Sequence, residues 1–287
     1  RAVVYPGVGD IRPEDVPEPR IERPTDALVR ITASATGGTA LHVVRGTLPG
    51  TTEGRILGHE GVGVVTEVGP HVRNLEPGDR VVVPSTVACT ARTAAPGDDA
   101  QCDGADPNGR APRLRGQRRP AALAGPQAEG ARVPYANAGL VKPPDEAGDD
   151  RALLCSDIFP TGSGADMAVV AQGDVVRVVG CGSVGRFAIW SARHLGAGRV
   201  IAVDTIPDRL RAARAQGAEV VDFGAEDPVA RIAEMTSGDR RRERGAVAAR
   251  VGPQVLDRAV QAVARAGTLG IIGVSPPTVT TFPIGAA

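Results

Sequence analysis

The residues of this chain best suited to chemistry are three glycines in a Gly-x-Gly-x-x-Gly turn, Gly180, Gly182 and Gly185, and a later acid, Asp204. The glycines let the backbone turn, approach a pyrophosphate and pack a helix close to a sheet. That helix, with Val184 in its first turn, would offer unpaired N–H groups to the phosphates. Asp204 follows about 20 residues later, at the spacing of an acid that binds a ribose hydroxyl. The pattern predicts a dinucleotide site; a glycine-rich turn in an unrelated α/β protein is the competing interpretation.

The same region bears on which dinucleotide binds. An acid at the end of the second strand accepts hydrogen bonds from the ribose hydroxyls and repels a 2′-phosphate, so Asp204 favours NAD over NADP. Arg209 follows closely and could pair with such a phosphate. These residues alone therefore leave NADP open.

The elements that must position these residues follow two different patterns. Residues 1 to about 150 contain short β-type runs between glycine and proline turns, which predicts a small β-barrel or sandwich. The clearest of these runs are 27–32, 61–68 and 80–84. From residue 151 onward, strand and helix patterns alternate, which predicts a parallel sheet with helices on both faces. The predicted strands are 175–179, 200–204, 219–223 and 268–274, and the predicted helices are 184–195, 207–216 and 254–266.

Composition excludes several classes of function. The chain has 287 residues, which suits two domains, and its net charge is zero, which argues against nucleic acid or an anionic membrane as partner. No apolar run approaches the roughly 20 residues of a membrane span, and no signal peptide opens the chain. The four cysteines form no Cys-x-x-Cys pair, so we expect a reducing, cytoplasmic setting. Residues 90–130 and 237–250 lack periodicity, and we interpret them as loops with solvated charge.

The run around Gly58-His-Glu60 resembles the catalytic-zinc signature of the zinc-dependent alcohol dehydrogenases, in the medium-chain dehydrogenase/reductase superfamily. Further runs resemble the glutathione-independent formaldehyde dehydrogenase-like branch: Leu41-His-Val-Val-Arg-Gly46, Pro134-Tyr-Ala-Asn137, Ser156-Asp-Ile-Phe-Pro-Thr-Gly162, Gly164-Ala-Asp-Met167 and Asp204-Thr-Ile-Pro-Asp-Arg209. The resemblance implies an α/β fold with a GroES-like β-rich catalytic domain (residues 1–150) and a Rossmann doubly wound parallel sheet (residues 151–287). Relatives continue further, so we expect a C-terminally truncated chain.

The resemblance also implies a chemistry. Members of the family hold Zn²⁺ with three protein ligands and one open position, so that the metal polarises the substrate oxygen. The ligands carried over to this sequence are His59 and Asp157. Thr39 and His42 stand at the positions where the family has the hydroxyl and the imidazole that relay the alcohol proton to solvent. Thr161 stands where the family lines the nicotinamide site. Because the relatives that share the 204–209 run use NAD, we expect NAD as the cofactor.

Two positions depart from the family beside the metal. Gly37 stands where the family has its first ligand, a cysteine, and a glycine has no side chain to bind a metal. Ala40 replaces an acid that would orient the His59 ring, a role whose loss costs about 10–100-fold in metal affinity or activity. Glu60 could take the place of the lost ligand, since carboxylates bind zinc. The alternative is that His59 is an ordinary buried histidine.

The cysteines do not support a second metal site. A structural zinc needs four ligands, and of the four closely spaced cysteines in the family only Cys89 and Cys102 remain. We therefore predict that the structural zinc is absent. Cys155 is predicted to be a small buried residue, and Cys181 occupies a variable position of the glycine turn, where size matters more than reactivity.

Two hypotheses about function follow. The first is a zinc-dependent, NAD-linked oxidoreductase that interconverts a small alcohol and an aldehyde by hydride transfer. The second is a degenerate or truncated family member that binds dinucleotide at most, because one zinc ligand and the C-terminal part are missing. A zinc-free reductase of the quinone reductase branch is disfavoured by His59 and Glu60 together with Asp157. Relatives form homo-oligomers, but the sequence names neither the substrate nor the oligomeric state of this protein.

Overall fold

The computed structural model describes residues 1–48, 50–89, 124–236, 245–248, 253–263 and 267–274. The chain divides into two compact units, Arg1–Asp157 and Ile158–Ala287. Within the described ranges, no helix is both long enough and apolar enough to cross a membrane.

The described residues of the first unit form two antiparallel sheets and three short helices. Its elements are β1 (Ala2–Gly7), β2 (Asp10–Glu14), β3 (Ala27–Ala35), α1 (Gly38–Val44), β4 (Arg55–Ile56), β5 (Glu60–Val68), β6 (Arg80–Val83), β7 (Gly130–Val133), α2 (Ala136–Gly139) and α3 (Asp149–Leu154). The strands pair in the orders β2-β1-β4 and β6-β5-β3-β7. The runs predicted at 27–32, 61–68 and 80–84 correspond to β3, β5 and β6.

Alternation along the strands gives the larger sheet two buried faces. Val29, Val65 and Val133 lie in one core cluster, on the same face of the sheet. Val62 and Val82 lie in another, which includes Ala152 of α3. Because side chains alternate across a strand, β5 can serve both clusters and is largely buried in its first half. This burial places the start of β5, where Glu60 lies, out of solvent.

The second unit is a parallel sheet flanked by helices. Its elements are α4 (Ile158–Val169), β8 (Val175–Val179), α5 (Ser183–His194), β9 (Arg199–Asp204), α6 (Pro207–Ala215), β10 (Glu219–Asp222), α7 (Pro228–Met235), β11 (Gly245–Ala248), α8 (Pro253–Ala262) and β12 (Thr268–Ile271). The sheet order is β10-β9-β8-β11-β12, all parallel. Numbered within this unit, that order is 3-2-1-4-5, as in dinucleotide-binding Rossmann folds. The Rossmann fold expected from the sequence is confirmed.

Both faces of the parallel sheet are buried. Val176 and Val178 of β8 pack with Ile189 of α5 in one cluster, and Ile201 and Val221 pack with other apolar residues in a second cluster. A strand that is buried on both faces has apolar side chains at nearly every position. This explains why the sequences of these strands are continuous apolar runs. The order of the strands reverses beside β8, and in such sheets ligands bind at the carboxyl ends of the strands at that point.

Candidate functional site

A turn between β4 and β5 places His59 and Glu60. Gly58, in that turn, has a left-handed backbone conformation with φ of +94°. L-residues rarely adopt this conformation, so a glycine is needed there. The two residues that follow are buried: His59 is 4% exposed and Glu60 is 2% exposed. An imidazole and a carboxylate therefore enter the interior of the first unit side by side.

Asp157 completes a group of three. Its Oδ2 lies 3.0 Å from His59 Nε2, and Ser85 Oγ donates a hydrogen bond of 3.3 Å to its Oδ1. Ser85 N donates to Ser156 O over 2.9 Å, which holds the segment after β6 against the residue preceding Asp157. His59 Nε2 and Glu60 Oε1 are 3.8 Å apart. The ligand atoms of the three residues all lie within 4.8 Å of one another. We call them the His59–Glu60–Asp157 cluster.

The cluster fits a divalent metal ion. One imidazole nitrogen and two carboxylates are donors that zinc accepts. The Glu60 Oε1 atom is buried and has no hydrogen-bond partner among the described residues. A buried carboxylate oxygen left in this way is costly, and a cation beside it would remove the cost. Among the residues described, no other group of histidine, cysteine and acidic side chains has this arrangement.

The charge state of Glu60 reflects its surroundings. Burial raises the pKa of the Glu60 carboxyl above its ordinary value; nearby His59 opposes the rise and nearby Asp157 adds to it. Burial has this effect because it penalises the charged form. A bound cation would favour the carboxylate and act in the opposite direction.

The space beside Gly37 is taken by the cluster. A Cβ atom built on Gly37 would lie 2.7 Å from Glu60 Oε1 and 3.5 Å from His59 Nε2. Position 37 therefore faces the cluster, as the family resemblance implies for a first ligand, but the Glu60 carboxylate occupies that space. Ala40, also on α1, is buried, with 6% of its surface exposed.

The predicted relay residues both lie on α1. Thr39 and His42 are three positions apart in that helix and share one of its faces. No hydrogen bond joins them within the part of the chain that is described, so the relay itself stays a prediction. His42 Nδ1 lies 2.8 Å from Thr47 Oγ1, a contact that fixes the ring. Thr161 lies apart from these residues in the sequence, on α4 of the second unit.

The glycine turn has the backbone that dinucleotide binding requires. Gly180 follows β8 with φ of +94°, a conformation that disfavours any other residue. Gly182 is the N-cap of α5, and no side chain caps that helix. Val184 lies in the first turn and Gly185 is buried within the helix. The N–H groups of that first turn are therefore available to an anion.

Asp204 is engaged by the backbone in a way that the sequence did not reveal. Its Oδ1 accepts hydrogen bonds from Thr205 N at 2.7 Å and Ile206 N at 3.0 Å. Its Oδ2 accepts one from Cys181 N at 2.7 Å and lies 3.7 Å from Arg209 Nη1. A carboxylate has about four acceptor sites. One site on Oδ2 thus remains for a ribose hydroxyl, rather than the pair that the sequence argument assumed.

The three described cysteines differ in how far they are exposed to solvent. Cys155 is exposed, so the prediction that it is buried was wrong: it follows α3 on the outer side of that short helix. Cys181 is buried, and burial, with a further effect of Asp204, raises the pKa of its thiol to about 12. Cys89 is buried. Cys102 and most of the segment predicted to have lost a structural zinc lie outside the described residues.

Ser85 is the site residue that sequence reasoning missed. It positions Asp157 through a side chain and a backbone contact to a segment 72 residues away. A lone serine after a short strand gives no sequence signal for such a role. The backbone N–H of Cys181, which holds Asp204, is likewise invisible in the sequence.

Comparison with known proteins agrees with this geometry. The family described as Alcohol dehydrogenase GroES-like domain matches residues 23–145, and the family described as Zinc-binding dehydrogenase matches residues 183–286. An alcohol dehydrogenase from Thermus sp. ATN1 has a similar structure, with a TM-score of 0.89 and 34% identity, covering 99% of this chain and 79% of that one. The chain belongs to the zinc-dependent alcohol dehydrogenase family of the medium-chain dehydrogenase/reductase superfamily.

Two further relatives differ in length from this chain. An uncharacterized zinc-type alcohol dehydrogenase-like protein of Bacillus subtilis is 37% identical over 245 residues, covering 83% of this chain and 65% of the relative. A glutathione-independent formaldehyde dehydrogenase of Pseudomonas aeruginosa is 39% identical over 243 residues, covering 80% of this chain and 60% of the relative. The chain thus spans less than two thirds of the length of both relatives. Their similarity to this chain also confirms the family that was expected from the sequence.

Proposed function

We propose that this protein is a metal-dependent, NAD-linked oxidoreductase that interconverts a small alcohol and an aldehyde. The observation that carries the proposal is the His59–Glu60–Asp157 cluster, in which ligand atoms of a buried imidazole and two carboxylates lie within 4.8 Å of one another. Membership of the zinc-dependent alcohol dehydrogenase family supports the same assignment.

The three cluster residues would hold the metal. When bound, Zn²⁺ supplies Lewis acidity to an alcohol or carbonyl oxygen. Asp157 is oriented for this task by Ser85, and His59 and Glu60 are held by the turn at Gly58 and the start of β5. Burial keeps water from the Glu60 carboxylate, which strengthens its attraction for a cation.

Proton transfer is assigned to α1. The Thr39 hydroxyl would take the proton of the bound alcohol, and His42 would pass it to solvent. Imidazole suits this step because it takes up and releases a proton near neutral pH. The contact between His42 Nδ1 and Thr47 Oγ1 keeps the ring in place.

Dinucleotide binding is assigned to the second unit. NAD, when bound, supplies the nicotinamide ring that accepts hydride. Gly180, Gly182, Val184 and Gly185 would bind its pyrophosphate through backbone N–H groups, and Asp204 would accept a ribose hydroxyl. The negative charge of Asp204 disfavours a 2′-phosphate, and this supports NAD over NADP although Arg209 is near. Thr161 is assigned to the nicotinamide site.

A dinucleotide-binding protein without catalysis is the second candidate, because Gly37 removes one family ligand. An absorbance assay for NADH with small primary alcohols separates the two. We expect turnover in the zinc-loaded protein, its loss in His59→Ala, and its retention in His71→Ala, a matched change at an exposed histidine. NADH binding without metal uptake or turnover would favour the second candidate.

The surroundings and assembly of the protein are part of the proposal. Cys155 and Cys181 are free thiols, which supports a reducing compartment such as the cytoplasm. Homo-oligomers, as in relatives, are the expected form; sedimentation of the purified protein would reveal a monomer if this expectation is wrong.

A further inference from the structure

The end of α1 brings Thr47 beside His42. Gly46 follows the C-cap residue with φ of +69°, the left-handed conformation that ends many helices. Its N–H donates to Val43 O over 3.0 Å, and the N–H of Thr47 donates to His42 O, also over 3.0 Å. These two bonds form a Schellman motif, in which the second residue after the C-cap contacts the last turn of the helix. In this chain that contact joins the Thr47 hydroxyl to the His42 imidazole.

The hydrogen bonds of the Thr47 hydroxyl determine which nitrogen of the neutral imidazole carries the proton. Thr47 Oγ1 donates to the backbone carbonyl of His42 over 3.2 Å and lies 2.8 Å from His42 Nδ1. The hydroxyl has a single proton, and the carbonyl oxygen can only accept it. Nδ1 must then carry a hydrogen and donate it to Oγ1. The neutral ring therefore has its lone pair on Nε2.

The opposite arrangement makes fewer hydrogen bonds. If the Thr47 hydroxyl donated to Nδ1, the ring proton would lie on Nε2 and the bond from the hydroxyl to the carbonyl would be lost. One net hydrogen bond favours the arrangement that contains it by about two- to tenfold. Within the described ranges the His42 ring makes no second hydrogen bond, so Nε2 is left for the relay.

We infer that Thr47 is a positioning residue for the proton relay, because it holds neutral His42 with its proton on Nδ1 and its lone pair on Nε2. Nε2 takes up the proton that leaves the alcohol, which gives an imidazolium, and the imidazolium releases that proton to solvent. Thr47 acts through the His42 ring and not on the substrate. The relay rests on the proposed function, whereas the position of the proton on the ring does not.

Nitrogen NMR tests the position of the proton without any need for turnover. The chain has four histidines, so the ring signals of full-length protein with isotopically labelled histidine can be resolved, and His42→Gln identifies those of His42. Spectra are recorded above about pH 9, where imidazole side chains are neutral. We expect the hydrogen on Nδ1 in the wild type. An imidazole in water favours the hydrogen on Nε2, so Thr47→Val should move it there and Thr47→Ser should return it to Nδ1.

Thr66→Val is the matched control. The Thr66 hydroxyl also donates to a backbone carbonyl, but to that of Leu28, over 3.3 Å. This variant should leave the His42 hydrogen on Nδ1 and turnover unchanged. The end of α1 stays anchored in Thr47→Val, because the backbone N–H groups of residues 47 and 48 still donate to His42 O.

Single-turnover formation of NADH by zinc-loaded protein measures the relay itself. Its rate should fall by about two- to tenfold in Thr47→Val and recover in Thr47→Ser. A hydrogen on Nε2 in the wild type, or an unchanged rate in Thr47→Val, overturns the inference even if the enzyme turns over. The expected hydrogen positions with no turnover of any small alcohol support the assignment of the ring proton and overturn the proposed function.

Discussion

Replacing Asp204 with asparagine should affect stability and cofactor binding together. The two carboxylate oxygens accept three backbone N–H groups, from Cys181, Thr205 and Ile206, at 2.7–3.0 Å. An amide has the same shape but only one acceptor oxygen. If that oxygen keeps its two bonds with Thr205 and Ile206, the NH₂ group faces the N–H of Cys181. The opposite orientation leaves two N–H groups facing the NH₂, which is worse.

The size of the effect follows from this arrangement. One buried N–H group is left without an acceptor in the better orientation, which costs about 1–3 kcal/mol. With a urea slope of about 2 kcal/mol per M, a loss of about 2 kcal/mol lowers the unfolding midpoint by about 1 M. A ribose hydroxyl also loses a charged acceptor, so NADH affinity should fall by about tenfold or more.

Urea unfolding and a fluorescence titration with NADH measure the two effects. Asp208→Asn is the matched control, because Asp208 lies nearby on α6 with its side chain 79% exposed. It should leave both quantities unchanged. An Asp204→Asn protein that unfolds at the wild-type urea concentration and binds NADH as tightly would refute the hydrogen-bond argument.

Three further changes test other parts of the structure. In metal-free protein, burial raises the pKa of the Glu60 carboxyl, so the contribution of this group to stability is fully present below its ordinary pKa of about 4.5 and is lost as the pH rises through the higher pKa of the folded state; Glu60→Gln should remove this part of the pH dependence in urea unfolding above about pH 4.5, and an unchanged profile would contradict it. Asp26→Ala removes a fully buried carboxylate that accepts the backbone N–H groups of Glu22 and Arg23 and pairs with Arg132; because Arg132 keeps its ion pair with Glu22, the change should cost about 1–3 kcal/mol in the same assay, and an unchanged urea midpoint would count against these contacts. A thiol reagent at neutral pH should label Cys155 but reach Cys181 only after unfolding, because burial raises the pKa of the latter to about 12; labelling of Cys181 in native protein would be inconsistent with this.

The fold of the second unit could largely be predicted from the sequence. The strand predicted at 175–179 is β8, and the helix predicted at 207–216 is α6 apart from its last residue. Apolar strands between amphipathic helices give a strong local signal. The short helices α1, α2 and α3 were not predicted, since each has only four to seven residues and too few turns to show a period. The β11 strand, Gly245–Ala248, lies in the segment 237–250 that was interpreted as a loop, so that interpretation was wrong for these four residues.

The candidate site was predicted in its residue types but not in its geometry. The motif around His59 and the family resemblance indicated three residues that the structure brings together. The sequence could show that Gly37 has lost a ligand, but not that Glu60 fills the space, because this depends on a contact across 23 residues. The same limit applies to Asp204, whose hydrogen bonds come from backbone groups rather than side chains.

The most direct test of the account is the X-ray absorption spectrum of zinc-loaded, full-length protein. The His59–Glu60–Asp157 cluster predicts nearest neighbours that are nitrogen and oxygen only, at about 2.0–2.2 Å from the metal. A sulfur neighbour at about 2.3 Å, or protein that retains no zinc after gel filtration, would contradict a metal centre built from these three residues.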